Sequence, residues 1–170
     1  MSVADALNKS ELFGGLEPRS LEKISTMCRG RSYQEGTTIF REGDEAKELF
    51  VLTEGRIVLE LEILPVPNRP AIPTAVEVVT KGEGFGWSAL VEPHVYTLSA
   101  RCMTNCQVVA IKSDLLRNLM ADDVALGYEL MKRLAKLIAM RLTHTRLRLT
   151  SGLGLILLGR ETDRSERPLP

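Results

Sequence analysis

A glycine-rich segment is the part of this sequence most suited to chemistry. Residues 82–86 read GEGFG, and a short apolar run, WSAL, follows at 87–90. Because glycine has no Cβ, its backbone N–H groups can approach a ligand closely. A helical turn that opens just after Gly86 would direct further free N–H groups at the same point, an arrangement that favours an anion. The spacing therefore predicts a tight anion pocket made from backbone.

Catalytic and metal-binding arrangements are not evident in the sequence. It contains no Ser-His-Asp set and no paired carboxylates placed for acid–base work, so we expect no enzyme activity. The cysteines Cys28, Cys102 and Cys106 are interpreted as free thiols, and with only His94 and His144 available no metal or other cofactor is predicted. A haem-based sensor that uses one of these residues as ligand remains an alternative.

The composition is that of an ordinary soluble domain. Of the 170 residues, 44% are hydrophobic and 26% are charged, a length and balance that suit one core. Lys plus Arg and Asp plus Glu are equal at 22 each, so no basic field predicts a nucleic-acid partner. Neither a signal peptide nor an apolar run of about 20 residues is present, so we expect a cytoplasmic protein without a membrane partner.

The predicted fold class is mainly β with flanking helices, in the form of a double-stranded β-helix (jelly-roll) barrel. Short N-terminal helices are expected over 3–28, broken at Gly14-Gly15, with a turn at Arg29-Gly30. The barrel is expected over 33–112 because short β-type runs alternate there with glycine turns. The predicted strands are 37–40, 49–52, 56–64, 76–79, 96–103 and 108–111. Four prolines between 65 and 73 predict a long, stiff hairpin loop.

C-terminal helices are predicted over 113–150. Ser113 is a suitable N-cap for a short helix, and a long helix is expected to start at Asp122 or Asp123. Its apolar stripe follows four-three spacing, which predicts a coiled-coil-like contact in a homodimer, with Arg133 as a misfit. The stripe consists of Leu126, Leu130, Leu137, Met140, His144 and Leu147. Alternatively, it packs on the barrel of its own chain. Gly152 and Gly154 are expected to end the helix and leave 151–170 as a partly disordered tail.

Several of these segments together resemble the cyclic nucleotide-binding domain family. The family includes the sensory half of catabolite-activator-type transcription regulators and the regulatory subunits of cyclic-AMP-dependent kinases. The resemblance covers about residues 10–150, so we expect one such domain over 1–150. It depends on LFGGL at 12–16, GTTIFREGD at 36–44, LFVLTEGRI at 49–57, GEGFG at 82–86 and CQVVAI at 106–111.

The resemblance also implies a ligand pocket with two unusual residues. In cyclic-nucleotide binders of the family, a glutamate after the last glycine takes the ribose 2′-hydroxyl, and an arginine further on neutralises the phosphate. Here those positions fall on Trp87, which has no acceptor, and Tyr96, which carries no positive charge. Arg101 is expected on the opposite face of its strand. The candidate pocket residues are Phe85, Gly86, Trp87, Ser88, Ala89, Tyr96 and Thr97.

The sequence therefore predicts a non-enzymatic regulatory module with a divergent pocket. It would bind another small-molecule effector, or none, and would signal through its C-terminal helix to an unidentified protein partner. The first alternative is a genuine binder of cyclic AMP or cyclic GMP through altered contacts. A transcription regulator is disfavoured, because the residues after the long helix do not supply a helix-turn-helix, unless the chain is truncated.

Overall fold

In its described part, the chain has two short helices, eight strands and two further helices. The computed structural model describes residues 2–63 and 71–165, with side chains described up to residue 147. The helices are α1 (Val3–Asn8), α2 (Pro18–Ser25), α3 (Ser113–Asp122) and α4 (Val124–Ser165). The strands are β1 (Cys28–Tyr33), β2 (Thr38–Phe40), β3 (Glu48–Glu54), β4 (Ile57–Ile63), β5 (Ile72–Val79), β6 (Gly84–Phe85), β7 (Ser99–Cys102) and β8 (Cys106–Lys112). A 3-10 turn, Trp87–Leu90, follows β6.

The strands form two antiparallel four-stranded sheets. One sheet has the order β1-β8-β3-β6 and the other the order β2-β7-β4-β5. Their apolar side chains make a common core, in which Phe50 and Leu52 of β3 belong to the same buried cluster as Leu59 of β4 and Ala100 of β7. The predicted jelly roll is confirmed, as two packed sheets and not as a closed barrel. No helix in the described part of the chain combines the length and apolar character needed to cross a membrane.

Local chemistry explains how the N-terminal helices begin. Ser2 and Asp5 form a capping box on α1, with the Asp5 N–H donating to Ser2 Oγ at 3.1 Å and the Ser2 N–H donating to Asp5 Oδ2 at 3.2 Å. Pro18 opens α2, where its missing N–H costs nothing. These two helices confirm that the N-terminal region is helical.

The strands β1 and β6 were not predicted, and the bounds of β5 and β7 differ most from those expected. A turn was expected at Arg29-Gly30, but these residues lie inside β1, which pairs with β8 along its whole length. The polar sequence of β1 carries no alternating apolar signal, and its distant pairing decides the structure. β5 begins at Ile72 and includes Pro73, which an edge strand tolerates. The other prolines of the predicted loop, at 65, 67 and 70, lie outside the described residues.

β7 is shorter than the predicted strand over 96–103 and starts at Ser99. Tyr96 lies in the preceding loop, held by two backbone hydrogen bonds: its N–H donates to the Asp44 carbonyl at 2.9 Å, and its carbonyl accepts from the Gly43 N–H at 2.9 Å. The β-like backbone at this point pairs with a turn and not with a strand.

The prediction that glycines end the long helix was wrong. α4 continues through Gly152 and Gly154 to Ser165, so 151–165 is helical; residues 166–170 lie outside the described part. A glycine inside a helix costs about 1 kcal/mol relative to alanine, which leucine-rich neighbours can offset. The chain forms two compact units, 1–135 and 136–170, so the second unit begins within α4.

Candidate functional site

The predicted pocket residues surround a very small cavity, which we call the cassette pocket. Its volume is about 30 Å³, roughly a tenth of the smallest typical small-molecule pocket. It is lined by Phe40, Leu59, Gly86, Trp87, Ser88, Tyr96, Thr97 and Leu98. Five of the seven predicted residues therefore meet here.

Tyr96 is packed into the core beside the cassette pocket. Its side chain is buried, and its ring stacks on Phe40 with 3.7 Å between ring centroids and 10° between planes. Its hydroxyl donates to the Glu48 carbonyl at 2.7 Å and accepts from the Glu48 N–H at 3.3 Å. Burial raises the pKa of Tyr96 to about 12, so the phenol stays neutral. Tyr96 is therefore a satisfied core residue in this structure.

An aromatic cluster continues from Tyr96 into the core. Phe40, Phe50 and Phe85 stack with centroid separations of 5.8 Å for Phe40–Phe50, 6.0 Å for Phe40–Phe85 and 5.1 Å for Phe50–Phe85. Such pairs add about 0.5 to 1.5 kcal/mol beyond the area they bury. The interior beside the cassette pocket is therefore packed with the protein's own rings.

The backbone half of the predicted anion site is present. Gly86 has φ 76°, a left-handed value that favours glycine, and the 3-10 turn opens directly after it. The first N–H groups of such a turn have no partner within it. Half-buried Trp87 begins this turn, at the position where the resemblance implies a glutamate.

Two predicted residues lie elsewhere, and three lining residues were missed. Phe85 and Ala89 are fully buried in the core and do not line the cassette pocket. Phe40, Leu59 and Leu98 line it without having been predicted. Alternation of inward-facing residues along the strands could have indicated Phe40 and Leu59, but not which part of the core they reach.

Arg101 faces away from the cassette pocket, as the sequence predicts. Its guanidinium forms a two-point ion pair with Glu60, at 3.1 Å for Nε–Oε2 and 2.5 Å for Nη2–Oε1. The Glu60 hydrogen bond and charge raise the pKa of Arg101 further. Arg101 is thus engaged in a structural pair between β7 and β4.

The histidines and cysteines do not gather into a metal site. No three His, Cys, Asp or Glu side chains within the described residues are placed to hold a metal ion. Burial raises the pKa of the Cys28 and Cys102 thiols to about 12, which keeps both protonated. His94 lies in the loop after the 3-10 turn, and His144 is exposed on α4.

The predicted dimer stripe is only partly exposed. Leu126, Leu130 and Leu137 are buried within the single chain, whereas Met140 and Leu147 are 50% and 60% exposed. His144 is exposed as well. The misfit of the pattern, Arg133, donates from its guanidinium to the Gly14 carbonyl and, at 3.5 Å, to the Gly15 carbonyl. The first turns of α4 are therefore attached to the loop between α1 and α2 of their own chain, whereas the alternative interpretation placed the stripe on the barrel.

Known proteins share this architecture. The family model described as cyclic nucleotide-binding domain matches residues 30–123. A solved Geobacter metallireducens protein assigned to the cyclic nucleotide-binding class is 30% identical, with a TM-score of 0.73, over 84% of this chain and 99% of that one. The regulatory domain of Toxoplasma gondii PKA, solved with cAMP, shares the fold at 20% identity and a TM-score of 0.60, over 69% of this chain and 42% of that one.

Curated relatives come from two kinds of regulated protein. Human cGMP-dependent protein kinase 2 is 28% identical over 118 residues, and the CRP-like cAMP-activated global transcriptional regulator of Mycobacterium tuberculosis is 23% identical over 132 residues. The matches cover 69% and 78% of this chain but only 14% and 57% of the relatives. The chain thus corresponds to one part of each relative.

Proposed function

The chain belongs to the cyclic nucleotide-binding domain family, and we propose that it is a regulatory module whose cassette pocket is filled by its own side chains. The observation that carries the proposal is the volume of about 30 Å³ that Tyr96 and its neighbours leave. Small-molecule pockets are typically about 300 to 1,000 Å³. A nucleotide would have to displace the stacked rings before it could enter.

The chemistry of the lining also disfavours a cyclic nucleotide. Every residue that lines the cassette pocket is described, and none of them is Arg, Lys, Asp or Glu. A buried phosphate without a cation loses its hydration and gains little in return. The Tyr96 hydroxyl already donates to the Glu48 carbonyl, so using it for a phosphate would break a satisfied bond.

Calorimetric titration with cyclic AMP and cyclic GMP tests this proposal. We expect no saturable heat from the wild type at micromolar concentrations, because the cassette pocket is filled and uncharged. The double variant Trp87→Glu/Tyr96→Arg restores the two missing side chains and is expected to gain binding. Its matched control, Trp87→Glu/Tyr128→Arg, has the same charges but places the arginine on an exposed position of α4.

The second candidate function is cyclic nucleotide binding through altered contacts. It is favoured by the left-handed Gly86 and the 3-10 turn after it, which keep backbone donors in place, and by the names of the relatives. Micromolar or tighter binding by the wild type would establish this function and overturn the proposal. Because that measurement uses the unmodified chain, it decides the question even if the double variant does not fold.

Signal output is proposed to pass through α4 to a second copy of the chain. Met140, His144 and Leu147 keep the four-three spacing and are exposed, so they can still form a helix–helix contact. We expect sedimentation equilibrium to show a homodimer that Met140→Asp weakens at least about tenfold, since a charge would be buried. Ala139→Asp, on an exposed position of another face, is the control. A wild-type monomer would contradict the dimer.

A further inference from the structure

Residues 91–98, which connect the 3-10 turn to β7, are called the cassette loop. A second and much larger cavity, which we call the outer cavity, lies on the outer side of this loop. Its volume is about 480 Å³, within the range of small-molecule sites. It is bounded by the turn before β3, the cassette loop, and the junction of β8 with α3. Its charged and polar lining consists of Glu45, Lys47, Glu48, His94, Lys112, Ser113, Asp114 and Arg117.

Ion pairing leaves the outer cavity with unmatched positive charge. Glu48 directs both carboxylate oxygens to Arg31, at 2.5 and 2.7 Å. Glu45 pairs with Lys47 at 2.9 Å. Two of the three acidic groups in the lining are therefore already neutralised by partners.

Three charged groups of the lining remain outside those pairs, two cations and one carboxylate. They are Lys112, Arg117 and Asp114. Arg117 gives one N–H group to the Ala89 carbonyl at 2.5 Å. A guanidinium has five N–H donors, so others are available to a bound group. Because the two cations outnumber the one carboxylate, the remaining charge of the lining is positive and favours an anion.

The backbone of α3 adds to this preference. Ser113 is the first residue of the helix, and its N–H donates to the Lys47 carbonyl at 3.0 Å. The residue before the helix, Lys112, makes no side-chain capping bond. The following N–H groups of the first turn lack helical partners, and the helix dipole is positive at this end.

His94 supplies an independent sign that a partner is missing. Its Nδ1 is buried and has no hydrogen-bond partner, the one such side-chain nitrogen or oxygen within the described residues. Its backbone has φ 56°, which a non-glycine residue rarely adopts. The Ala46 N–H fixes the loop by donating to the His94 carbonyl at 2.7 Å. His94 therefore lies at the wall of the outer cavity, fixed through its backbone, while its unpartnered Nδ1 is closed off from solvent.

We propose that the outer cavity binds a small molecule through an oxyanion group, held by Lys112, Arg117 and the first turn of α3. This inference rests on the proposed function, because it gives the module an effector site that the filled cassette pocket does not offer.

The contacts around the outer cavity explain how occupancy would be transmitted. Arg117 links α3 to the 3-10 turn by donating to the Ala89 carbonyl. Ser113 links the same helix to the turn before β3, because both its N–H and its Oγ donate to the Lys47 carbonyl, the latter at 2.8 Å. An anion that draws on Arg117 competes with or reorients its bond to Ala89. The cassette and α3 would then respond together.

Titration with inorganic phosphate, followed by two-dimensional amide NMR at constant ionic strength, tests the site. We expect saturable shifts centred on residues 112–117 and on His94. Lys112→Gln/Arg117→Gln should weaken the response at least about tenfold, because two charge-assisted contacts are lost. The control Lys132→Gln/Lys136→Gln removes the same charge from exposed positions of α4 and should leave the titration unchanged.

A single variant protects the test against a folding defect. Lys112→Gln removes no side-chain hydrogen bond or ion pair seen among the described residues, and it should weaken phosphate binding severalfold by itself. A linear response without saturation, or equal effects of the site and control variants, would overturn the proposal. Calorimetry with cyclic nucleotides reports on the cassette pocket and phosphate shifts report on the outer cavity, so each proposal can fail separately.

Discussion

The cavities on the two sides of the cassette loop differ in volume and in the charge of their lining residues. On the inner side, the cassette pocket has a volume of about 30 Å³ and a lining without charged residues. On the outer side, the outer cavity has about 480 Å³ and a lining rich in charged groups. One short segment supplies Tyr96 to the first and His94 to the second. The chain thus keeps the shape of a ligand-binding cassette while its open volume lies on the other side of the loop.

In this segment, the residues that set the backbone conformation are not the residues whose side chains would contact a ligand. Gly86 and the 3-10 turn keep the conformation that suits an anion. At the two positions where the resemblance implies a glutamate and an arginine, the chain has Trp87 and Tyr96, and Tyr96 is buried in the core. Fold and function therefore have separate determinants in this segment, and a conclusion about the ligand has to come from the side chains.

The largest expected effect follows from truncating the side chain that fills the cassette pocket. Tyr96→Ala should lower the free energy of unfolding by about 3 to 5 kcal/mol, as for other buried aromatic residues. Tyr128→Ala is the matched control, because Tyr128 is 69% exposed on α4 and such changes usually stay within about 0.5 kcal/mol. Urea unfolding of the three proteins measures both values.

Equal losses of unfolding free energy in the two variants would contradict the difference between the cassette pocket and the outer cavity. They would mean that Tyr96 contributes no more packing than a surface tyrosine, so that the cassette pocket is open in solution. A large loss of unfolding free energy for Tyr96→Ala alone would support that difference. It would show that a ligand can enter only by displacing a residue on which stability depends.

Local sequence signals were sufficient for most of the architecture. Glycine turns and alternating apolar runs placed the β region, and the GEGFG segment located the cassette and the helical turn after it. The strand β1 was missed because its six polar and small residues carry no such signal and become a strand only by pairing with β8. The end of α4 was misplaced because a single glycine lowers helix propensity without terminating a helix.

The sequence indicated which residues lie near the cassette pocket, but it did not indicate how much open volume they leave. The resemblance named Trp87 and Tyr96, and both line the cassette pocket; the period-two argument for Arg101 assumed a strand from Tyr96 onward, whereas β7 begins at Ser99. The stacking of Tyr96 on Phe40 depends on residues far apart in the chain, so no local pattern reveals it. The outer cavity was not predicted for the same reason, since its walls come from three separate segments.

A smaller effect is expected from adding one methyl group beside the cassette pocket. Gly86 and Gly36 have nearly the same left-handed φ, 76° and 81°, so alanine at either position should pay about 1 to 2 kcal/mol for its backbone conformation. At Gly36 the added Cβ meets nothing within 4 Å. At Gly86 it lies 3.2 Å from Phe50 Cδ2 and 3.3 Å from Tyr96 Cε1.

Gly86→Ala should therefore destabilise the chain by about 1 to 3 kcal/mol more than Gly36→Ala, because overpacking adds to the shared backbone cost. Denaturant unfolding of the two single variants measures the difference, in which the backbone contribution cancels. A difference near zero would mean that the rings beside Gly86 move aside easily, and that the cassette pocket can open at little cost. A clear difference would instead locate the rigidity of the cassette in the contact of its last glycine with Phe50 and Tyr96.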